Sequence, residues 1–308
     1  MENQNFESSL AKQALTEQRK SRRWGIFFKS LTLVYLVIFL VTVNEWLGDE
    51  DDVEVGRHTA VVDLDGVIAA GSTANADDVI SGLEHALESK NSVGVILRIN
   101  SPGGSPVQSA IINQEISRLR TNHPDKPIVA VVEDLCASGG YYAAVATQTI
   151  YVSQASIVGS IGVRLDGFDL SKAMESLGIQ RRLLTAGENK GFLDPFQPMQ
   201  ADQKQHALDL LANIHQQFID AVKQGRSGKL AKDESLFSGL IWTGEQGIQL
   251  GLVDSLGTVN SVAREVFQAE KVVNYSVREG LGERLARRLG TSVSESLFKS
   301  IFYTDILN

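Results

Sequence analysis

The 308-residue chain carries 37 acidic and 29 basic side chains, a formal net charge of −8, and is 43% hydrophobic and 21% charged. That composition excludes a disordered polymer, and the acidic balance argues against nucleic acid as a main partner. The single cysteine, Cys136, rules out an internal disulfide and a cysteine zinc cluster, and none of the five histidines stands in an H-E-x-x-H pattern, so neither a metal nor another cofactor is expected.

Residues 1–23 form a basic N-terminal segment, with Lys12, Arg19, Lys20, Arg22 and Arg23. Residues 24–47, WGIFFKSLTLVYLVIFLVTVNEWL, are uncharged from Ser30 to Asn44 and bracketed by Trp24 and Trp46, which suit the two membrane interfaces. A span needs roughly 20 residues, and Lys29 near one end can snorkel, so the segment reads as a transmembrane signal anchor. A buried core helix is disfavoured because the segment is apolar all round, and cleavage is disfavoured because no clear small-x-small site follows. Basic flanks before it and Asp49 to Glu54 after it place the N-terminus in the cytoplasm and the rest outside. Residues 48–57 read as a solvated acidic linker.

Beyond the linker, apolar extended runs alternate with helical patterns. His58–Leu64 and Val93–Ile99 predict strands, with a helix over about Asp77–Ser89 between them and another over Val107–Arg120. IVAVV at 128–132, after Pro127, reads as a buried parallel strand. Thr149–Val152, Ile161–Val163 and Arg181–Leu184 are shorter strand candidates, and Ala201–Lys223 is the longest helix. The alternation predicts an α/β domain over 58–270 with a largely parallel sheet. The remaining tail, 271–308, sets Leu281, Leu285 and Leu289 on one helical face beside Arg284, Arg287 and Arg288. It either packs on the core or docks on a neighbour or a membrane surface.

Two glycine turns follow strands. Asn100-Ser101-Pro102-Gly103-Gly104 comes directly after VILRI, where adjacent glycines can turn their N–H groups towards a bound oxygen. Taken alone it is no more than a turn. Ala137-Ser138-Gly139-Gly140 follows IVAVV and opens a helix. Small residues around such a serine expose its hydroxyl to a substrate, though a plain N-cap with close helix packing fits the same residues.

SPGG after a strand, CASGGYYAA some thirty positions later, then SIVGSIGV, GENKGFLDPF and GLVDSLG closely resemble the signal peptide peptidase A family of serine proteases. The resemblance covers residues 58–265 and rests on the motifs occurring in this order. It implies a ClpP/crotonase-type α/β fold behind an N-terminal transmembrane helix, a catalytic dyad of Ser138 and Lys190, and an oxyanion site at Gly104 and Gly139. It also implies a homo-oligomer in which the dyad is shared between subunits. Gly247 stands where alanine is expected, a matter of packing more than chemistry.

The residues by themselves leave Lys190 open. It lies between Gly187 and Gly191 and ahead of Phe192, Leu193 and Phe196, where apolar surface could cover it, but without the resemblance an exposed loop lysine is the better reading. His58, His85, His123, His206 and His215 read as surface or helix residues, and Cys136 as a small buried hydrophobe. The expected activity is that of a serine endopeptidase of the bacterial inner membrane, its catalytic domain outside the cytoplasm. Released signal peptides and other membrane-associated peptides would be the substrates. A crotonase-type acyl-CoA enzyme is disfavoured because acyl-CoA is cytosolic, and a non-catalytic membrane scaffold because both Ser138 and Lys190 are present.

Overall fold

A computed structural model describes Lys20, 22–40, Thr42 and 56–277. The acidic run from Asp49, Trp46 and the amphipathic tail beyond Val277 lie outside the described residues. Helix α1, Arg22–Leu40, has a mean hydropathy of 1.6 with none of it buried, and is the one helix among the described residues long and apolar enough to cross a membrane. Trp24 stacks on Phe28, with ring centroids 5.6 Å apart.

Residues Gly56–Val277 form a separate unit. Strand β1 is His58–Asp65, followed by α2, Ala76–Glu88, then β2, Ser92–Ser101, α3, Pro106–Asn122, and β3, Ile128–Ala137. A six-residue helix α4, Gly139–Ala144, leads to β4, Ile150–Val152, and β5, Ile157–Gly159. After the short α5, Ser171–Ser176, the 25-residue α6, Ala201–Gly225, precedes β6, Ile241–Thr243, α7, Gly244–Gln249, β7, Ser255–Leu256, and β8, Val272–Asn274. The strands join one sheet in the order β6-β5-β3-β2-β1-β8, with β4 branching from β3 to β7. Every pairing is parallel except β5–β6. The α/β class expected from the alternation is observed.

Local chemistry sets the helix starts. The Asn75 side chain accepts from the Asp78 N–H at the head of α2, and Ser105 accepts from the Gln108 N–H at the head of α3, where Pro106 supplies a preset φ and needs no donor partner. Even positions of β1 (Ala60, Val62, Leu64) and odd positions of β2 (Val95, Leu97, Ile99) point into the main core beneath α2 and α3. The opposite face buries Val61, Ile96, Val129 and Val131 against Val262 and Phe267. Burial on both faces explains why these strands read as continuous apolar runs rather than alternating ones.

Several expectations shift. Strand β3 runs five residues past IVAVV: its first half pairs with β2 and β4, and its second half, Leu135–Ala137, with β5, returning to β2 at Cys136. The exposed Glu133 and Asp134 between the halves hide this continuity from a hydrophobicity reading. Ile161–Val163 is not a strand, because the strand sits four positions earlier and ends where Ser160 takes a φ of 54°. Arg181–Leu184 has no pairing partner and no regular structure. The first part of the tail joins the sheet, since β8 pairs with β1 as an edge strand. His58, expected at the surface, is 2% exposed, with its Nε2 2.9 Å from the Tyr275 hydroxyl and its ring stacked on Tyr275. At Gly247 a Cβ would lie 2.9 Å from Val158 Cγ2, so alanine there would require β5 or α7 to give way.

One buried ion pair ties α6 to the sheet. Arg226, whose side chain is 2% exposed, places Nη1 2.7 Å from Asp254 Oδ2 and donates Nε–H to the Gly251 carbonyl at 2.9 Å. Asp254 also accepts from the Ile150 N–H and from the exposed Lys229. Burial pushes the Asp254 carboxyl up, but the hydrogen bonds from Arg226, Lys229 and Ile150 outweigh it and hold the group below its usual range. Removing one partner of a buried pair strands the other charge, so Arg226→Ala is expected to cost about 3–5 kcal/mol in denaturant unfolding at neutral pH. Lys229→Ala is expected to cost under about 1 kcal/mol, because solvent screens it. A depressed carboxyl stabilises above its unfolded pKa of about 3.9 and loses that contribution as pH falls through the folded value. The difference between wild type and Arg226→Ala should therefore narrow at pH values below about 4; a difference independent of pH would refute the assignment.

Candidate active site

The C-terminal ends of β2 and β3 bring the two glycine turns together. Ser138 links β3 to α4 with φ 51° and ψ −120°, a conformation that costs a non-glycine residue about 1–3 kcal/mol. The turn is held from both sides: the Ser138 N–H donates to the Gly159 carbonyl at 2.8 Å, and its own carbonyl accepts from the Tyr142 N–H at 2.9 Å. The Ser138 side chain makes no capping bond to α4, contrary to the plain N-cap reading.

Gly103 and Gly104 press directly on this turn. A Cβ on Gly103, which has φ 91°, would lie 2.5 Å from the Gly139 nitrogen and 2.8 Å from Ser138 Cβ. Residue Ile68 clamps the turn from behind, donating to the Gly103 carbonyl at 2.9 Å and accepting from the Ser105 N–H at 2.8 Å. In such a parallel bridge the middle residue's N–H faces the other way, so the Gly104 amide is turned from Ile68. A Cβ on Gly139 would lie 3.2 Å from the Gly104 nitrogen. Gly139 is also the first residue of α4, whose opening N–H groups lack helical partners. Two free amides next to a strained serine can hold an oxygen that gains negative charge, which is the electrostatic core of acyl transfer.

The cleft over Ser138 has a volume of about 710 Å³. Pro102 and Pro106 flank it on one side, Ser160 and Val163 on the other, and Ile214 and Phe218 of α6 reach in with Tyr142. Tyr142 stacks flat on Phe218 at 4.8 Å between centroids. This α6 wall is absent from the sequence expectations. An apolar stripe of Ala207, Leu211, Ile214, Phe218 and Val222 marks α6 as amphipathic, but the stripe does not say which neighbour it meets.

Ser138, Gly139 and Gly104 thus converge, and Lys190 does not join them. Lys190 is exposed on the 164–200 extension and is not among the residues lining the cleft. His215 donates to the Ile161 carbonyl at 3.1 Å, which commits the ring to structure. Burial pushes the Cys136 thiol up, away from the thiolate a nucleophile requires. Among the described residues no cluster of histidine, cysteine and carboxylate side chains could hold a metal ion.

Residues 120–273 match the model of Peptidase family S49. A protein named Na(+)/H(+) antiporter NhaA from Brucella abortus is 42% identical over 212 residues, which is 67% of this chain but 29% of that protein. This chain therefore spans under a third of that relative. A Methanocaldococcus jannaschii protein with a provisional protease name is 32% identical over 223 residues, covering 69% of this chain and 71% of its own. Among solved structures, a mutant of the 1510-N membrane-bound stomatin-specific protease with a substrate peptide is 16% identical, with a TM-score of 0.47, covering 76% of this chain and 98% of that one.

Proposed function

The chain belongs to peptidase family S49, and from that premise we propose that it is a membrane-anchored serine endopeptidase working through Ser138 and Lys190. The observation that carries the reading is the strained Ser138 turn pressed against Gly103 and Gly104 in an open cleft. Neutral Lys190 takes the Ser138 proton as the hydroxyl oxygen attacks the scissile carbonyl. The oxyanion rests on the Gly104 and Gly139 amides. The tetrahedral intermediate collapses to an acyl-enzyme as protonated Lys190 gives its proton to the leaving amine, and water, deprotonated by Lys190, releases the acyl half.

Lys190 reaches Ser138 from a neighbouring subunit on this reading. Support comes from its exposure in the single chain and from the unpartnered apolar side chains of the same extension, with Leu177 72% and Leu184 95% exposed. Burial away from water is what makes a lysine a usable base at neutral pH, and a subunit contact would supply it. The substrates are peptides at the membrane, among them signal peptides left after export, because an anchored domain meets such peptides at the bilayer. On this reading the basic N-terminus lies in the cytoplasm and the catalytic unit outside, in the bacterial inner membrane, supported by the basic residues before α1 and the acidic run after it.

A serine-reactive acylating probe tests the reading directly. Mass spectrometry of the labelled full-length protein should find the adduct on Ser138. Labelling and peptide cleavage should both rise from acid towards mildly alkaline pH as the lysine base loses its proton. An adduct elsewhere, or cleavage that a metal chelator stops, defeats it.

A further inference from the structure

A second cavity, of about 390 Å³, lies between the 164–200 extension and the N-terminal half of α6. Its walls are mixed, with Leu165, Phe168, Leu193 and Met199 from the extension and Leu208 and Leu211 from α6 as the apolar part, and Asp166, Asp169, Asp194 and Lys204 as charged members of the lining. The Ser138 cleft and this cavity share Asp166 as a lining residue and meet the same α6 stripe, Ile214 and Phe218 in the cleft, Ala207 and Leu211 beyond it. The two spaces are therefore stations along one helix face. From Phe218 to Ala207 is 11 positions on α6, or about 16 Å of helix axis. An extended peptide covers that distance in about five residues.

Phe168 is 83% exposed and Leu208 48% exposed, so the groove presents apolar side chains to whatever enters. The lining residue it shares with the cleft, Asp166, and the common α6 face favour as occupant a remote part of the chain being cut. We propose that this groove is an exosite that binds an apolar stretch of substrate about five residues from the scissile bond, a reading that rests on the peptidase function above. The exosite makes the enzyme prefer long apolar peptides, because short ones fill the cleft and leave the groove empty. Binding energy from that remote contact is available to hold the scissile bond in register over Ser138.

The test compares a short reporter of about four residues with a series of about twelve, in which a leucine pair is moved outwards on either side of the cleaved bond. Full-length protein in detergent should show kcat/KM peaking when the pair lies about five residues away. Leu208→Asp and Phe168→Asp should each lower that peak by about tenfold, the loss of one buried apolar contact, and leave the short reporter unchanged. Phe168, being the more exposed, decides the matter if Leu208→Asp does not fold. Equal loss on short and long peptides, or a smaller particle on gel filtration, would mean that a second copy of the chain occupies the groove and would overturn the proposal. A flat length series overturns it as well. Failure of wild type to cut even the short reporter, with Ser138 unlabelled by the acylating probe, is a different result: it removes the peptidase reading and this inference with it.

Discussion

Ser138→Ala and Lys190→Ala, each inactive when produced alone, are expected to recover about a quarter of wild-type activity when co-expressed in equal amounts. The figure comes from random assembly. An active centre needs an intact serine from one subunit and an intact lysine from the next, each present with probability one half, in a head-to-tail interface that closes on itself. Single-chain geometry motivates the experiment. Ser138 lies in a cleft whose described lining lacks Lys190, and Lys190 sits exposed on an extension whose Leu177 and Leu184 are covered by none of the described residues. A dyad within one protomer cannot be complemented at all. Mixed assemblies shown by tag pull-down to contain both variants, yet inactive, would rule out the shared dyad.

The same contrast shows what a sequence can carry. β1, β2, α2 and α3 were legible because continuous apolar runs mark the two strands and helical periodicity the two helices, each within two residues of the observed ends. Ser138 and the two glycine turns were legible as motifs, since only small residues tolerate the approach of Gly103 to Gly139. The second half of β3 was not, because Glu133 and Asp134 interrupt its apolar run while its backbone pairing continues. A strand is expected at Arg181–Leu184 from local propensity, but a strand exists only where an edge accepts it, and this segment pairs with no strand of the sheet. The α6 wall was hidden for a related reason. Periodicity identifies a buried face, whereas the identity of the surface it meets is a tertiary fact. Lys190 was the least legible, because on the proposed reading its role depends on a contact between chains.

Gly103→Ala, the addition of one methyl group, is expected to lower kcat by about a hundredfold or more while KM changes little. The side chain enters at the worst available point. Its Cβ would lie 2.5 Å from the Gly139 nitrogen, 2.8 Å from Ser138 Cβ and 2.9 Å from the Ala137 carbonyl, all of them fixed parts of the β3–α4 turn rather than flexible side-chain ends. The φ of 91° at Gly103 adds backbone strain for any residue with a Cβ. The two turns must separate, and Gly139 and Gly104 carry the amides assigned to the oxyanion. Moving one donor by about 1 Å weakens a contact made chiefly in the transition state, so the loss falls on kcat. The Ile68 clamp holds the outer side of the turn, which limits unfolding and leaves the Ser138 hydroxyl in the cleft. Folding is checked by the thermal unfolding midpoint, and access to Ser138 by labelling with a small alkyl fluorophosphonate, which phosphonylates the hydroxyl oxygen and releases fluoride. Retention of near wild-type kcat in a folded Gly103→Ala protein would show that these two amides do not hold the oxyanion, and the donors would have to be sought elsewhere along α4.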